Sequence, residues 1–68
     1  MTTYFVCNPT ADGYSHQEVS SREEADAACT EGSWVITVAE GEIADAAFDT
    51  PGVALRAVRR VLKWRRSN

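Results

Sequence analysis

Two helix-start signals, 29 residues apart, constrain the fold of this chain more than any other feature. Ser21 and Glu24 have the spacing of a capping box, in which a hydroxyl and a carboxylate each accept a hydrogen bond from a backbone N–H of the first turn. Thr50 precedes Pro51, and this pair is typical of a capped helix with proline at its first position. We expect the first helix to end at Gly32, because glycine readily adopts the left-handed conformation, and the second to run through the basic tail to about residue 65.

Four short stretches predict β-strands, two before each helix. The runs 3–8 and 33–38 are rich in β-branched and aromatic residues. The weaker run 14–19 follows a turn-rich segment. The run 43–48 is ambiguous, because its alanines favour a helix while its position after the turn "AEGE" favours a strand.

An internal similarity favours the strand for this ambiguous run. A shift of 29 residues places residues 5–7 on residues 34–36 and aligns the two helix caps. Few of the aligned pairs are identities, so coincidence stays the alternative explanation. The similarity predicts pseudo-repeats over 3–31 and 33–66, with strand character at 43–48.

The predicted fold is α+β, with element order ββαββα in a single domain over residues 1–68. We expect a two-layer sandwich in which a four-stranded, mostly antiparallel sheet carries both helices on one face. The predicted core lies between them and consists of Phe5, Cys7, Val19, Ala25, Ala28, Cys29, Trp34, Ile36, Val38, Phe48, Ala54, Val58, Val61 and Leu62. The other sheet face, with Tyr4, Val6, Val35 and Ile43, is expected to be uncovered. A core this small is often supplemented by homodimerisation.

The sequence lacks the residue patterns of an enzyme or a metal protein. His16 is the only histidine, which excludes a histidine-based triad or a multi-histidine metal site within one chain. Cys7 and Cys29 are expected to be buried and inert, since the first helix is acidic and Cys29 lies near its C-terminus. No "GxxxxGK" phosphate loop is present. We therefore expect no catalytic residue, no metal, no cofactor and no small-molecule substrate.

The sequence predicts a soluble cytoplasmic protein. No run of aliphatic or aromatic residues is longer than the one at 34–36, which is far short of the roughly 20 residues of a membrane helix. The N-terminal segment has neither the basic start nor the apolar run of a signal peptide. Two cysteines without an export signal are typical of reduced thiols in the cytosol.

The C-terminal tail concentrates the positive charge of the chain. Of seven lysines and arginines, six lie in residues 55–68, whereas residues 1–54 carry a net charge of −9. A helical wheel separates a basic side from an aliphatic side that packs on the sheet. The candidate partner-binding residues are Arg56, Arg59, Arg60, Lys63, Trp64, Arg65 and Arg66. The alternative is that this basic stripe is a solvated helix face that neutralises acidic neighbours within the fold.

Acidic residues form a second candidate surface, which could imitate a nucleic acid in the binding site of another protein. Its members are Glu23, Glu24, Asp26, Glu40 and Glu42. Very small acidic domains without catalytic signatures are often adaptors or stoichiometric inhibitors, and many are encoded by bacteriophages, although this is analogy from size and charge. We expect a non-enzymatic module that binds a protein partner or a second copy of itself. The alternative is a small nucleic-acid-binding domain that uses the basic helix, against which the net −9 of residues 1–54 argues.

Overall fold

The computed structural model describes residues 1–46 and 49–67, and it confirms the α+β class. The elements follow the order ββαββα: β1 (Thr2–Thr10), β2 (Gly13–Val19), α1 (Arg22–Ala28), β3 (Trp34–Ala39), β4 (Glu42–Ala46) and α2 (Gly52–Ser67). The strands form one antiparallel sheet in the order β2-β1-β3-β4. The strand predicted at 43–48 is confirmed as far as Ala46, while residue 47 and Phe48 of the predicted core lie outside the described residues.

The strand β1 is central and extends through Pro9, beyond its predicted end. Proline lacks an N–H and is disfavoured where a strand pairs on both sides. Pairing with β3 stops at Cys7, opposite Trp34, so Pro9 pairs only with Tyr14 of β2. The last residues of β1 therefore behave as an edge strand, which accommodates the proline.

The two helices cover opposite faces of the sheet, so the prediction that both pack on one face is not confirmed. On the face of α2, the buried cluster consists of Phe5, Cys7, Ile36, Val38, Ala54 and Val58. On the face of α1, it consists of Val6, Val19 and Ala25, with Tyr4, Ala28, Cys29 and Val35 packed against them. The predicted single core is thus two cores separated by the sheet, and Val19, Ala25, Ala28 and Cys29 belong to the second.

Three consecutive buried residues of β1 explain this arrangement. Phe5, Val6 and Cys7 are each no more than 1% exposed. Because successive side chains of a strand point to opposite faces, Val6 must be covered from the side opposite to its two neighbours. The helix α1 covers Val6 with Ala25. Because the apolar residues of α1 are small, its sequence pattern did not indicate which sheet face the helix would cover. Ile43, expected on the uncovered face, packs against the α2 cluster instead.

The internal pseudo-repeat is not confirmed. The pairing of β1 with β3 places Val6 opposite Val35, the residue with which the 29-residue shift aligns it, and this is compatible with a two-fold axis through the sheet. A two-fold axis that relates two neighbouring antiparallel strands is perpendicular to their sheet. Rotation about such an axis keeps equivalent helices on the same face of the sheet. Since α1 and α2 lie on opposite faces, the two halves are not related by this operation.

The cap of α1 forms as predicted, but the helix is shorter than expected. Ser21 Oγ accepts a hydrogen bond from Glu24 N at 3.1 Å, and Glu24 accepts one from the backbone N of Ser20. The helix ends at Ala28, because Cys29 is already extended. Gly32 has the expected positive φ of 84°, but it lies in the turn that follows the helix rather than at its end.

The long helix α2 runs along β2. Near its start, a Cβ placed on Gly13 would lie 4.0 Å from Val53 Cγ1, and near its end Arg65 contacts Glu18. The predicted cap by Thr50 is not seen, since the buried Thr50 hydroxyl has no hydrogen-bond partner within 1–46 and 49–67. The carbonyl of Pro51 accepts the first hydrogen bonds of the helix, from Ala54 N and Leu55 N. Between these ends, α2 covers Phe5 and Cys7 of β1 and Ile36 and Val38 of β3, while Ile43 of β4 is only partly buried beside it.

A tight turn joins β3 to β4. Glu40 and Gly41 both have positive φ, 55° and 85°, which is the pattern of a type I′ hairpin turn. Further along β4 the register shifts, and Ala44 is opposite no residue of β3. This bulge accounts for the irregular burial of the strand, in which Ile43 and Ala46 are half-buried while the other three residues of Glu42–Ala46 are exposed.

Candidate basic interface on the C-terminal helix

Helical periodicity places the basic residues of α2 on its solvent side. Ala54 and Val58 are fully buried against the sheet, and Leu55, Val61 and Leu62 flank them. The remaining positions face solvent and include Arg56, Arg59, Arg60, Lys63 and Arg66, all of which are exposed. We call these five residues the basic stripe.

Arg65 differs from the stripe because it is engaged within the fold. Its two guanidinium nitrogens donate to the two carboxylate oxygens of Glu18 on β2, with Nη1 at 3.1 Å from Oε2. The guanidinium carbon also lies 5.8 Å from the centre of the Phe5 ring. The hydrogen bond from Arg65 lowers the pKa of Glu18, and Glu18 raises the pKa of Arg65 in turn. Glu18 was not predicted as a site residue, since only the packing of α2 along β2 brings it to Arg65.

The close ion pairs within the described part of the fold do not involve the stripe. Within the part of the chain that the structure describes, no carboxylate forms an ion pair with any of its five residues. Arg56 Nε donates to the carbonyl of Gly52 at 3.3 Å, which is a contact within the helix itself. The stripe is therefore a row of cations presented to solvent. Trp64, on the same part of the helix, is 67% exposed.

A groove lies between α2 and the β3–β4 turn. Its inner part has a volume of about 560 Å³ and is lined by Phe5, Val38 and Leu62, with Arg65, Arg66 and Glu40 among the polar residues at its rim. Its outer part, about 550 Å³, is lined by Ile43, Leu62, Arg59, Lys63, Arg66 and Glu42. The two parts share Gly41, Glu42, Leu62 and Arg66, so they form one continuous groove.

The sequence did not predict this groove. Ile43 was assigned to the opposite face, and no local pattern specifies where α2 lies across the sheet. The sequence treated Arg59, Lys63 and Arg66 as candidate binding residues together with Arg56 and Arg60. Only the structure shows that the first three line the groove and the other two do not.

The predicted acidic surface is divided between two elements. Glu23, Glu24 and Asp26 lie on α1, which packs against β1 and β2. Asp26 forms an ion pair there with Arg22, at 3.3 Å. The other members, Glu40 and Glu42, lie at the turn beside β4, at the far edge of the sheet. The five carboxylates thus do not form one continuous strip along a single element.

The histidine and the cysteines are placed apart from one another. The exposed ring of His16 lies 6.1 Å from the ring of Phe5. Cys7 is buried on the α2 face, and burial raises the pKa of its thiol. Cys29 is only half-buried and belongs to the cluster on the α1 face, so the sheet separates the two thiols.

Across residues 1–46 and 49–67, no group of three metal-ligating side chains is found. Neither α1 nor α2, as far as the structure describes them, combines the length and apolar character that a membrane-spanning helix needs. Comparison of the chain with protein-family models, with curated proteins and with solved structures finds no match.

Proposed function

We propose that the protein is a non-enzymatic binding module whose basic stripe docks on an acidic surface of a protein partner. The observation that carries this proposal is the difference in pairing between Arg65 and the other cations of α2. Arg65 is paired with Glu18, whereas the stripe faces solvent without a carboxylate partner among the described residues. Charged rows of this kind steer association with surfaces of opposite charge.

A protein partner is favoured over a nucleic acid by the surroundings of the stripe. Glu40 and Glu42 line the groove beside the cations, where they would repel closely spaced phosphates. The sheet face that carries Tyr4 and Val6 is covered by α1, so it does not offer an open platform for stacking bases. A protein can instead place isolated carboxylates on the cations and avoid the acidic turn.

The size of the chain and its acidic composition favour the role of an adaptor or stoichiometric inhibitor, as in many accessory proteins of bacteriophages. In this role the stripe provides attraction, and the exposed Trp64 adds an aromatic side chain of the kind enriched at interfaces. Association with a second copy of the chain is the related alternative, because the acidic helix α1 and the basic helix α2 lie on opposite faces of the sheet.

A photo-crosslinking amino acid at Arg60 tests this proposal in the full-length protein in cells. We expect covalent adducts that protease digests and nuclease leaves intact. The adducts should decrease when Arg56 and Arg59 are replaced by glutamate, because charge reversal removes the attraction. A glutamate replacement of Arg22, on the opposite sheet face, is the matched control. Adducts that nuclease removes would overturn the proposal in favour of nucleic-acid binding.

A further inference from the structure

We infer that the groove between α2 and the β3–β4 turn binds a short acidic segment of the partner, with one apolar side chain inserted into the inner part and carboxylates on Arg59 and Lys63. This inference rests on the proposed function and specifies the chemistry of the partner. It assigns the recognition to one side of the helix rather than to the whole stripe.

The groove is a consequence of where α2 packs. The helix follows β2 from Val53, beside Gly13, to Arg65, beside Glu18. Ile43 of the opposite edge strand, β4, is only half-buried where it packs toward α2.

The inner part of the groove suits one apolar side chain. Phe5 and Val38 lie at its base, and Leu62 of α2 forms its wall. Its volume of about 560 Å³ falls within the range of concave ligand sites, and its lining combines these apolar side chains with the polar groups of Thr3, Glu40 and Arg66. Arg65 at the rim is held in place by Glu18, so this edge of the groove is already ordered before a ligand binds.

The cations that line the outer part of the groove all belong to α2. Arg59 and Lys63 are four residues apart on α2, and Arg66 follows three residues later, so all three lie on neighbouring turns of one side. Arg56 and Arg60 do not line the groove. Carboxylates that flank the inserted side chain would contact the cations that line the groove and would not contact Arg56 or Arg60.

The opposite wall restricts what can bind. Glu40 and Glu42 face the ligand from the β3–β4 turn. A ligand with negative charge on all sides is repelled there, whereas a peptide can direct carboxylates toward α2 and uncharged atoms toward the turn. This asymmetry selects an acidic peptide rather than a nucleic acid.

Fluorescence anisotropy with a labelled peptide tests the inference on the full-length protein. The probe has one central leucine flanked by glutamates, and its controls carry serine for leucine or glutamine for glutamate. We expect both controls to bind at least about tenfold more weakly, since each removes one half of the recognition. These two comparisons need no change to the protein, so they decide the question even where a variant does not fold.

Paired variants then locate the site. Arg59→Gln with Lys63→Gln should raise the Kd of the leucine probe about tenfold or more, while Arg56→Gln with Arg60→Gln removes the same charge and should change it less than about twofold. Glu42→Gln should lower the Kd by about two- to threefold, because it removes a repulsive wall.

Three results would overturn the inference. Equal weakening by the two double variants would mean diffuse attraction to the helix, which leaves the proposed function intact. Equal binding of the serine and leucine peptides would mean that the inner part is unused. Tighter binding of a labelled oligothymidylate than of the peptide, lost in the Arg59 and Lys63 variant, would make the groove a nucleic-acid site and would also contradict the proposed function.

Discussion

At the scale of single residues, the contact between Glu18 and Arg65 anchors the last turns of α2. The two terminal guanidinium nitrogens each donate to a different carboxylate oxygen, a two-point geometry that is more directional than a single ion pair. Both side chains remain substantially exposed, so the stabilisation is that of a surface pair and is reduced by salt. Its main structural effect is to orient Arg65 over Phe5, at the rim of the groove.

The pH dependence of stability should report this pair. The pKa of Glu18 is lowered in the folded state by its hydrogen bond with Arg65, so its contribution is present above the unfolded pKa of this group and is lost as the pH falls through the folded pKa. Glu18→Gln should therefore lower Tm slightly at neutral pH, and this difference should vanish in acid. Glu31→Gln, at another exposed position, is the control. A Tm difference that is the same at every pH would contradict the role of the charge.

At the scale of secondary-structure elements, α1 turns one face of the sheet into a second core. The helix is only seven residues long, and Ala25 is the one fully buried residue in it. Its position depends on the cap at Ser21 and on contact with Val6 and Val19. A short helix with so little apolar area depends on tertiary packing, since isolated helices of this length are unstable in water.

A polar substitution of the same shape tests whether α1 covers the sheet. Val6 is 0% exposed, so Val6→Thr places a hydroxyl in an apolar cluster and should reduce the free energy of unfolding by about 1–3 kcal/mol. Val53→Thr makes the same change on the exposed side of α2, where Val53 is 53% exposed, and should be nearly neutral. Urea unfolding of both variants gives the comparison. Equal stability would place Val6 on an open face.

The elements themselves were largely predictable, because their signals are local. The cap at Ser21, the β-branched runs and the turn at Gly41 each depend on residues within a few positions of one another. The failure concerned which sheet face each helix covers. Consecutive apolar residues, as in β1, are typical of a strand covered on both faces, but they do not reveal which helix covers which face.

At the scale of the whole molecule, the fold separates charge across the sheet. One face carries α1 with Glu23, Glu24 and Asp26, and the other carries α2 with the basic stripe. The basic character of the tail and its amphipathic nature were evident in the sequence. The groove beside it was not, because the lateral position of α2 results from packing between residues far apart in the chain.

This charge separation leads to a prediction about nucleic acids. Residues 1–54 carry a net charge of −9, and Glu40 and Glu42 line the groove that the stripe borders, so they oppose the approach of phosphate over a Debye length of about 8 Å. We therefore expect labelled duplex DNA and single strands to bind weakly, with little change between about 50 and 200 mM salt, because few counterions are released. The chain with Arg59→Ala and Arg60→Ala should give a nearly identical titration.

The opposite result has an equally clear signature in the same titration. If the stripe contacts phosphates, affinity falls steeply with salt, and each arginine removed lowers the slope of log K against log salt by about 0.9 on duplex DNA. Tight, salt-sensitive binding of this kind would contradict a protein partner. Weak binding to all nucleic acids, together with binding of the acidic leucine peptide, fits a helix whose cations contact isolated carboxylates beside an acidic turn.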